Sequence, residues 1–108
     1  MSIVKTIDAH TLKAWLDNDE AILIDVREPA EYAAEHIKDS ILIPSGTITK
    51  QNLPALESKK LVIHCQLGKR GSTACVKLNV EDPTIDVYNL DGGIIAWINA
   101  GYKTEKTR

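Results

Sequence analysis

The chain of 108 residues contains no phenylalanine, one methionine and two cysteines. Two cysteines cannot build the disulfide framework of a small secreted domain, and Cys65 and Cys75 match no paired metal-ligand spacing. No apolar run approaches the roughly 20 residues of a membrane-spanning helix. The N-terminal stretch from Met1 to Asp8 lacks the apolar centre of a signal peptide. These absences predict a soluble, cytoplasmic protein with free thiols and no membrane partner. A net charge of −2 without any long basic tract argues against nucleic acid as the partner. Lys103, Lys106 and Arg108 are too few, and too mixed with Glu105, to change that. A P-loop, a full dinucleotide fingerprint and a Ser-His-Asp order are all missing, so neither cofactor nor metal is expected. Nothing in the sequence specifies an oligomeric state.

What is present is ordinary for one globular domain spanning residues 1–108, with 44% hydrophobic and 26% charged residues. Apolar runs suited to buried strands occur at residues 3–7, 21–26, 40–44, 60–65 and 85–90. Helical signals separate them. Asp8 is a plausible N-cap for a helix with Leu12, Trp15 and Leu16 on one face, ending near Asn18-Asp19. Pro29 suits the first position of a second helix, where Glu31 favours the positive end of the dipole, and Tyr32, Ala33, His36 and Ile37 lie at helical spacing. Residues 45–56 read as partly helical, limited by Pro54. Further helices are expected from Ser72 to about Val80 and over residues 94–98, the last ended by Gly101. Alternating strands and helices predict an α/β domain with a mainly parallel sheet and helices on both faces. Ligands of such sheets sit beyond the carboxyl ends of the strands.

One stretch occupies that position. Leu61-Val62-Ile63 runs into His64-Cys65, and the chain then becomes polar, cationic and glycine-permissive through Gln66, Leu67, Gly68, Lys69, Arg70 and Gly71. Loop amides and a helix N-terminus can converge on a cysteine placed there, and Lys69 and Arg70 add positive charge. Both effects favour a thiolate. Cys65 is therefore the expected nucleophile, and residues 66–71 the expected binding site for a small anion.

The remaining candidates read better as structural. His64 precedes the cysteine, but adjacent strand residues point to opposite faces, so it should not serve as its base. His36 reads as a hydrogen-bonded structural histidine and His10 as a surface residue. Asp25, Arg27 and Glu28 suggest an ion-pair network beside the strand ends rather than catalysis. Cys75 reads as a small core residue rather than a resolving thiol, and Gly92-Gly93 as a tight turn. One thiolate and an anion loop suffice for sulfur transfer. The thiolate attacks a sulfane sulfur, a stable anion such as sulfite leaves, and neither step needs a strong acid or base.

Four segments in order resemble the single-domain rhodanese family of sulfurtransferases. They are Ile24-Asp-Val-Arg-Glu28; Tyr32-Ala-Ala-Glu-His36-Ile37 with Ser40; the loop Cys65-Gln-Leu-Gly68-Lys-Arg70-Gly-Ser72; and Asp91-Gly-Gly-Ile-Ile-Ala-Trp97. Asp39 stands where the family commonly has glycine. The resemblance implies a three-layer fold with a five-stranded parallel sheet, and Cys65 as carrier of a persulfide. It implies a small anionic donor such as thiosulfate and a thiol or cyanide acceptor. The chain is especially similar to rhodanese domains fused to a membrane-anchoring tail in some bacterial proteins, but carries no such tail, which favours a soluble protein. Cysteine phosphatases and arsenate reductases of related fold are the enzymatic alternative. The phosphatases place five residues between cysteine and arginine, whereas four separate Cys65 from Arg70 here. A non-catalytic interaction domain is the alternative from another class.

Overall fold

The structure, a computed structural model, describes residues 4–107. Five strands, β1 (Lys5–Ile7), β2 (Ala21–Asp25), β3 (Ile41–Leu42), β4 (Lys60–His64) and β5 (Val87–Leu90), form one sheet in the order β1-β5-β4-β2-β3. Every pairing is parallel, so this is an all-parallel α/β sheet. Ile3, expected at the start of the first strand, lies outside the described residues. The helices are α1 (Ala9–Asp17), α2 (Pro29–Ala34), α3 (Lys69–Glu81) and α4 (Gly93–Asn99), with one 3-10 turn at Lys50–Asn52. Among the described residues no helix is long and apolar enough to cross a membrane.

Side-chain alternation along β4 divides the core. Leu61, Ile63 and Cys65 join Ile24, Ala74, Cys75 and Leu78 beneath α3. Val62 faces the other way, with Leu12, Leu23, Leu90, Ile94 and Trp97 from the α1 and α4 side. Both faces of β4 are covered, which explains its uninterrupted apolar run. Removing each large apolar side chain from water contributes about 1.5–3 kcal/mol. The central strand is thus a rigid base for whatever follows it.

Strand order also locates a crevice. The connection after β2 runs outward to β3, whereas the connection after β4 runs to β5 on the other side. Their carboxyl ends diverge at the β2/β4 boundary, the switch point at which open α/β sheets bind ligands.

Several local expectations hold, and others are corrected. Asp8 caps α1, its carboxylate accepting from the Thr11 N–H at 2.7 Å. Pro29 opens α2, behind a capping box formed by Glu28 and Glu31. The helix ends at Ala34, however, so His36 and Ile37 are not on its face. His36 instead exchanges backbone hydrogen bonds with Glu105, at 2.8 and 2.7 Å, and this bridge competes successfully with another helical turn. Residues 45–56 are helical only at Lys50–Asn52, where Thr49 and Asn52 form their own capping box. Asp39 has φ 65°, the left-handed conformation for which glycine is the usual residue. Aspartate is among the few other side chains that tolerate it.

The largest correction concerns α3, which begins at Lys69 and not Ser72. Gly68, at φ 117°, turns the chain so sharply that the Ser72 N–H already donates to its carbonyl at 2.9 Å. Lys69, Arg70 and Gly71 therefore belong to the first helical turn, and the anion loop is shorter than the sequence suggested.

Candidate active site

Cys65 follows the last residue of the central strand and is 1% exposed. Its Sγ accepts hydrogen bonds from the N–H groups of Gly68 at 3.1 Å and Gly71 at 3.3 Å. Both donors belong to the start of α3, whose first amides have no partner within the helix. They stabilise negative charge on the sulfur, or on an atom attached to it. A Cβ at position 71 would lie 2.3 Å from Asn89 Oδ1, so any larger residue there would push the Asn89 side chain aside.

The loop is fixed from behind by the turn into α4. Ile94 N–H donates to the Cys65 carbonyl at 2.9 Å, and Ile95 N–H to the Gln66 carbonyl at 3.2 Å. Gly92 and Gly93 both have positive φ, at 77° and 61°. A Cβ on Gly93 would approach the Gln66 and Cys65 carbonyl oxygens to 2.4 and 2.5 Å. Gly93→Ala should therefore destabilise the fold by about 2–4 kcal/mol, combining left-handed strain with overpacking against backbone. Chemical denaturation checks this; wild-type stability would show that the turn can move away at little cost. Asn89 completes the support, its Nδ2 donating to the Gly68 carbonyl at 2.9 Å.

On the far side of the sheet His64 is wholly buried. Its Nδ1 lies 3.1 Å from the Cys65 carbonyl oxygen and its Nε2 3.5 Å from Asp25 Oδ2. Burial pushes its pKa down, which favours the neutral ring. The imidazole touches the backbone of Cys65 but belongs to the face opposite Sγ, as strand alternation requires. Asp25 and Arg27, 0% and 3% exposed, form a buried ion pair. Arg27 Nη2 reaches Asp25 Oδ2 at 2.8 Å and the Glu35 carbonyl at 2.6 Å. Glu28 takes no part in this network; it is exposed, and its backbone N–H donates to the Glu31 carboxylate at 2.9 Å at the start of α2. His36 is structural: its Nδ1 lies 2.9 Å from the Tyr32 carbonyl, and its ring stacks on Tyr32 at 4.0 Å. Cys75 is buried in the core beneath α3, and burial pushes its thiol up to about 12, which disfavours a resolving role.

Above Cys65 lies an open pocket of about 400 Å³ lined by Glu31, Cys65, Gln66, Leu67, Lys69 and Arg70. Gln66 and Lys69 are exposed, and Leu67 is 69% exposed at its lip. A larger cavity of about 570 Å³ lies elsewhere, between Leu16, Ile37, Trp97 and Tyr102, with no cysteine on its walls. The pocket departs from expectation at Arg70, which is not a free cation facing the thiol. Its guanidinium forms a two-point pair with Glu31, Nη1 to Oε1 at 2.6 Å and Nη2 to Oε2 at 3.0 Å. Lys69 has no ion-pair partner among the described residues.

Sequence reasoning thus missed Glu31 and Asn89; it placed Gly93 in a tight turn but not against the carbonyls of Cys65 and Gln66. For Asn89 a signal existed: an amide side chain near the end of an apolar strand requires a polar partner. For Glu31 the only local signal was its helix-capping position.

Arg70 holds the Glu31 carboxyl at about 2, against an ordinary value of 4.5. A carboxyl depressed by folding adds stability above its unfolded pKa and loses it as pH falls toward the folded value. Acid titration of the fold should therefore show a loss between about pH 4.5 and pH 2. With both side chains about one-third exposed, roughly 1 kcal/mol is expected. Glu31→Gln should lose that contribution to the acid slope, as measured by denaturation at stepped pH.

The chain is similar to several known proteins along most of its length. The rhodanese-like domain family matches residues 8–100. A sulfurtransferase of Allochromatium vinosum is 35% identical, with 92% of each chain covered. The thiosulfate sulfurtransferase GlpE of Pseudoalteromonas translucida is 32% identical over 93% of this chain and 92% of its own. A Synechocystis protein, slr1261, is 37% identical over 95% of this chain, which spans 57% of that protein's length. Among solved structures, a rhodanese-related protein of Thermoplasma volcanium superposes with a TM-score of 0.80 at 27% identity, covering 94% of this chain and 97% of its own.

Proposed function

The chain belongs to the rhodanese-like family, and on that premise we propose that it is a sulfurtransferase carrying a sulfane sulfur on Cys65. The donor is thiosulfate or a persulfide, and the acceptor is a thiol or cyanide. The observation that carries this reading is the pair of N–H groups, from Gly68 and Gly71, directed at the Cys65 sulfur on the floor of an open pocket.

In the first half-reaction the Cys65 thiolate attacks the outer sulfur of thiosulfate. A bond forms between Sγ and that sulfur, the original S–S bond breaks, and sulfite leaves with the electron pair. The product is a persulfide anion on Cys65, stabilised by the amides that faced the thiolate and by Lys69 nearby. In the second half-reaction the acceptor attacks the terminal sulfur, and the Cys65 thiolate leaves. No proton needs to move at the reacting sulfur in either half. That suits a site whose neighbouring histidine lies on the other face of the sheet. A phosphatase would need Arg70 for its substrate's phosphoryl oxygens, and here a carboxylate occupies that guanidinium. Gln66, Leu67, Lys69 and Arg70 line the donor pocket, and Gly68 and Gly71 contribute the amides that face the sulfur. The chemistry suits a reducing compartment in which Cys65 and Cys75 stay free, and we place the protein in the cytoplasm on that ground.

Treatment with thiosulfate should add one sulfur atom to the intact mass, and cyanide should remove it as thiocyanate. An unchanged mass after both thiosulfate and an organic persulfide would overturn the reading.

A further inference from the structure

We propose, building on the sulfur-transfer reading, that Glu31 sets the donor specificity of this site by competing with small dianions for Arg70, so that the favoured donor is an organic persulfide rather than an inorganic dianion. Glu31 and Arg70 both line the pocket over Cys65, and their pairing engages both carboxylate oxygens. The carboxylate is also anchored to its own backbone, where Oε1 accepts from the Glu28 N–H at 2.9 Å. Two-point pairing with an arginine is the strong, directional form of this contact. Glu31 stays ionised throughout the neutral range, since Arg70 holds its carboxyl at about 2.

A thiosulfate ion entering the pocket brings two negative charges. It must displace Glu31 from the guanidinium, leaving that carboxylate unpaired beside it, or bind without the charge of Arg70. Lys69 is the one full positive charge lining the pocket that has no ion-pair partner among the described residues. An organic persulfide places at most one negative charge at the reacting sulfur, where the Gly68 and Gly71 amides can receive it. Its carbon portion would meet Leu67, which is 69% exposed at the pocket's edge. The transfer balances without a further reactant. The Cys65 thiolate bonds to the terminal sulfur of R–S–SH, the donor's S–S bond breaks, and R–S⁻ leaves, so that Cys65 carries –S–SH.

Glu31 acts through Arg70, which makes it a positioning residue, and Glu31→Gln isolates its charge. Glutamine is nearly isosteric and still accepts the Glu28 N–H, because capping boxes use either side chain. Two measurements decide the matter. In the first, KM is determined for thiosulfate and for cysteine persulfide in both proteins. The KM ratio of thiosulfate to persulfide should fall at least threefold in Glu31→Gln, a selective gain that general structural damage would not produce. In the second, sulfate is titrated as a protectant against alkylation of Cys65 by iodoacetamide, which requires no sulfur transfer. The half-protecting sulfate concentration should also fall at least threefold. An unchanged or increased ratio, or protection no better than in the parent protein, would overturn the role of Glu31. Should neither donor load Cys65, the sulfur-transfer reading fails, and the sulfate titration still decides whether Glu31 opposes dianions.

Discussion

Cys65→Ser should abolish sulfur transfer, with a loss of at least ~10³-fold in kcat/KM from either donor class. A serine hydroxyl is almost wholly protonated near neutral pH, and its oxygen is a poor nucleophile toward sulfur. The fold should survive, because the smaller Oγ can still accept from the Gly68 and Gly71 N–H groups that meet Sγ in the parent chain. Peptide mapping should place the added sulfur on Cys65 in the parent chain and nowhere in the variant. Cys75→Ser provides the contrast. That thiol is buried in the core and pushed up to about 12, so its loss should leave persulfide formation on Cys65 intact. Sulfur transfer persisting in Cys65→Ser, or lost only in Cys75→Ser, would remove the basis of the proposed mechanism.

The second large effect is on stability. Arg27→Ala should destabilise the protein by about 3–5 kcal/mol, because it leaves the Asp25 carboxylate buried without its partner. Asp25 is 0% exposed in the folded chain. The same change frees the Glu35 carbonyl, which accepts from Arg27 at 2.6 Å just after α2. Against a total stability of roughly 5–15 kcal/mol for a domain of this size, the loss is severe. Pairing Arg27→Leu with Asp25→Asn should recover part of it, since no uncompensated charge then remains buried. Thermal and denaturant unfolding measure both variants. A loss below about 1 kcal/mol for Arg27→Ala would show that Asp25 finds another partner. Persistence of sulfur transfer in the folded fraction would separate this network from the chemistry, as the sequence reading expected.

Much of the architecture was legible because its causes are local. Leu61-Val62-Ile63 is apolar on both faces because β4 is covered on both faces, and Cys65 follows it at the carboxyl end of the central strand. Asp8 and Pro29 mark helix starts by interactions that reach only three or four residues. The opposite orientation of His64 and Cys65 follows from strand geometry alone. Other local readings failed where a distant partner intervened. The helical spacing of Tyr32, His36 and Ile37 suggested a longer α2, but Glu105 captures the His36 backbone and ends the helix early. Arg70 read as free positive charge because nothing near it in sequence is acidic.

By itself the sequence determined an α/β chain, a cysteine at the end of a buried strand and a glycine-permissive turn able to direct amides at it. Each depends on side-chain chemistry within a few residues, and each would be the same in any fold that accepted the segment. Tertiary structure alone decided what surrounds that turn. The sheet order β1-β5-β4-β2-β3 sets the segment after β2 beside the loop after β4. It thereby brings Glu31 onto Arg70 across 39 positions and Asn89 onto Gly68 across 21. Charge pairing and close packing depend on distance in space, and folding sets that distance independently of separation along the chain. Hence the charge balance of the pocket could not be read from the residues that flank Cys65.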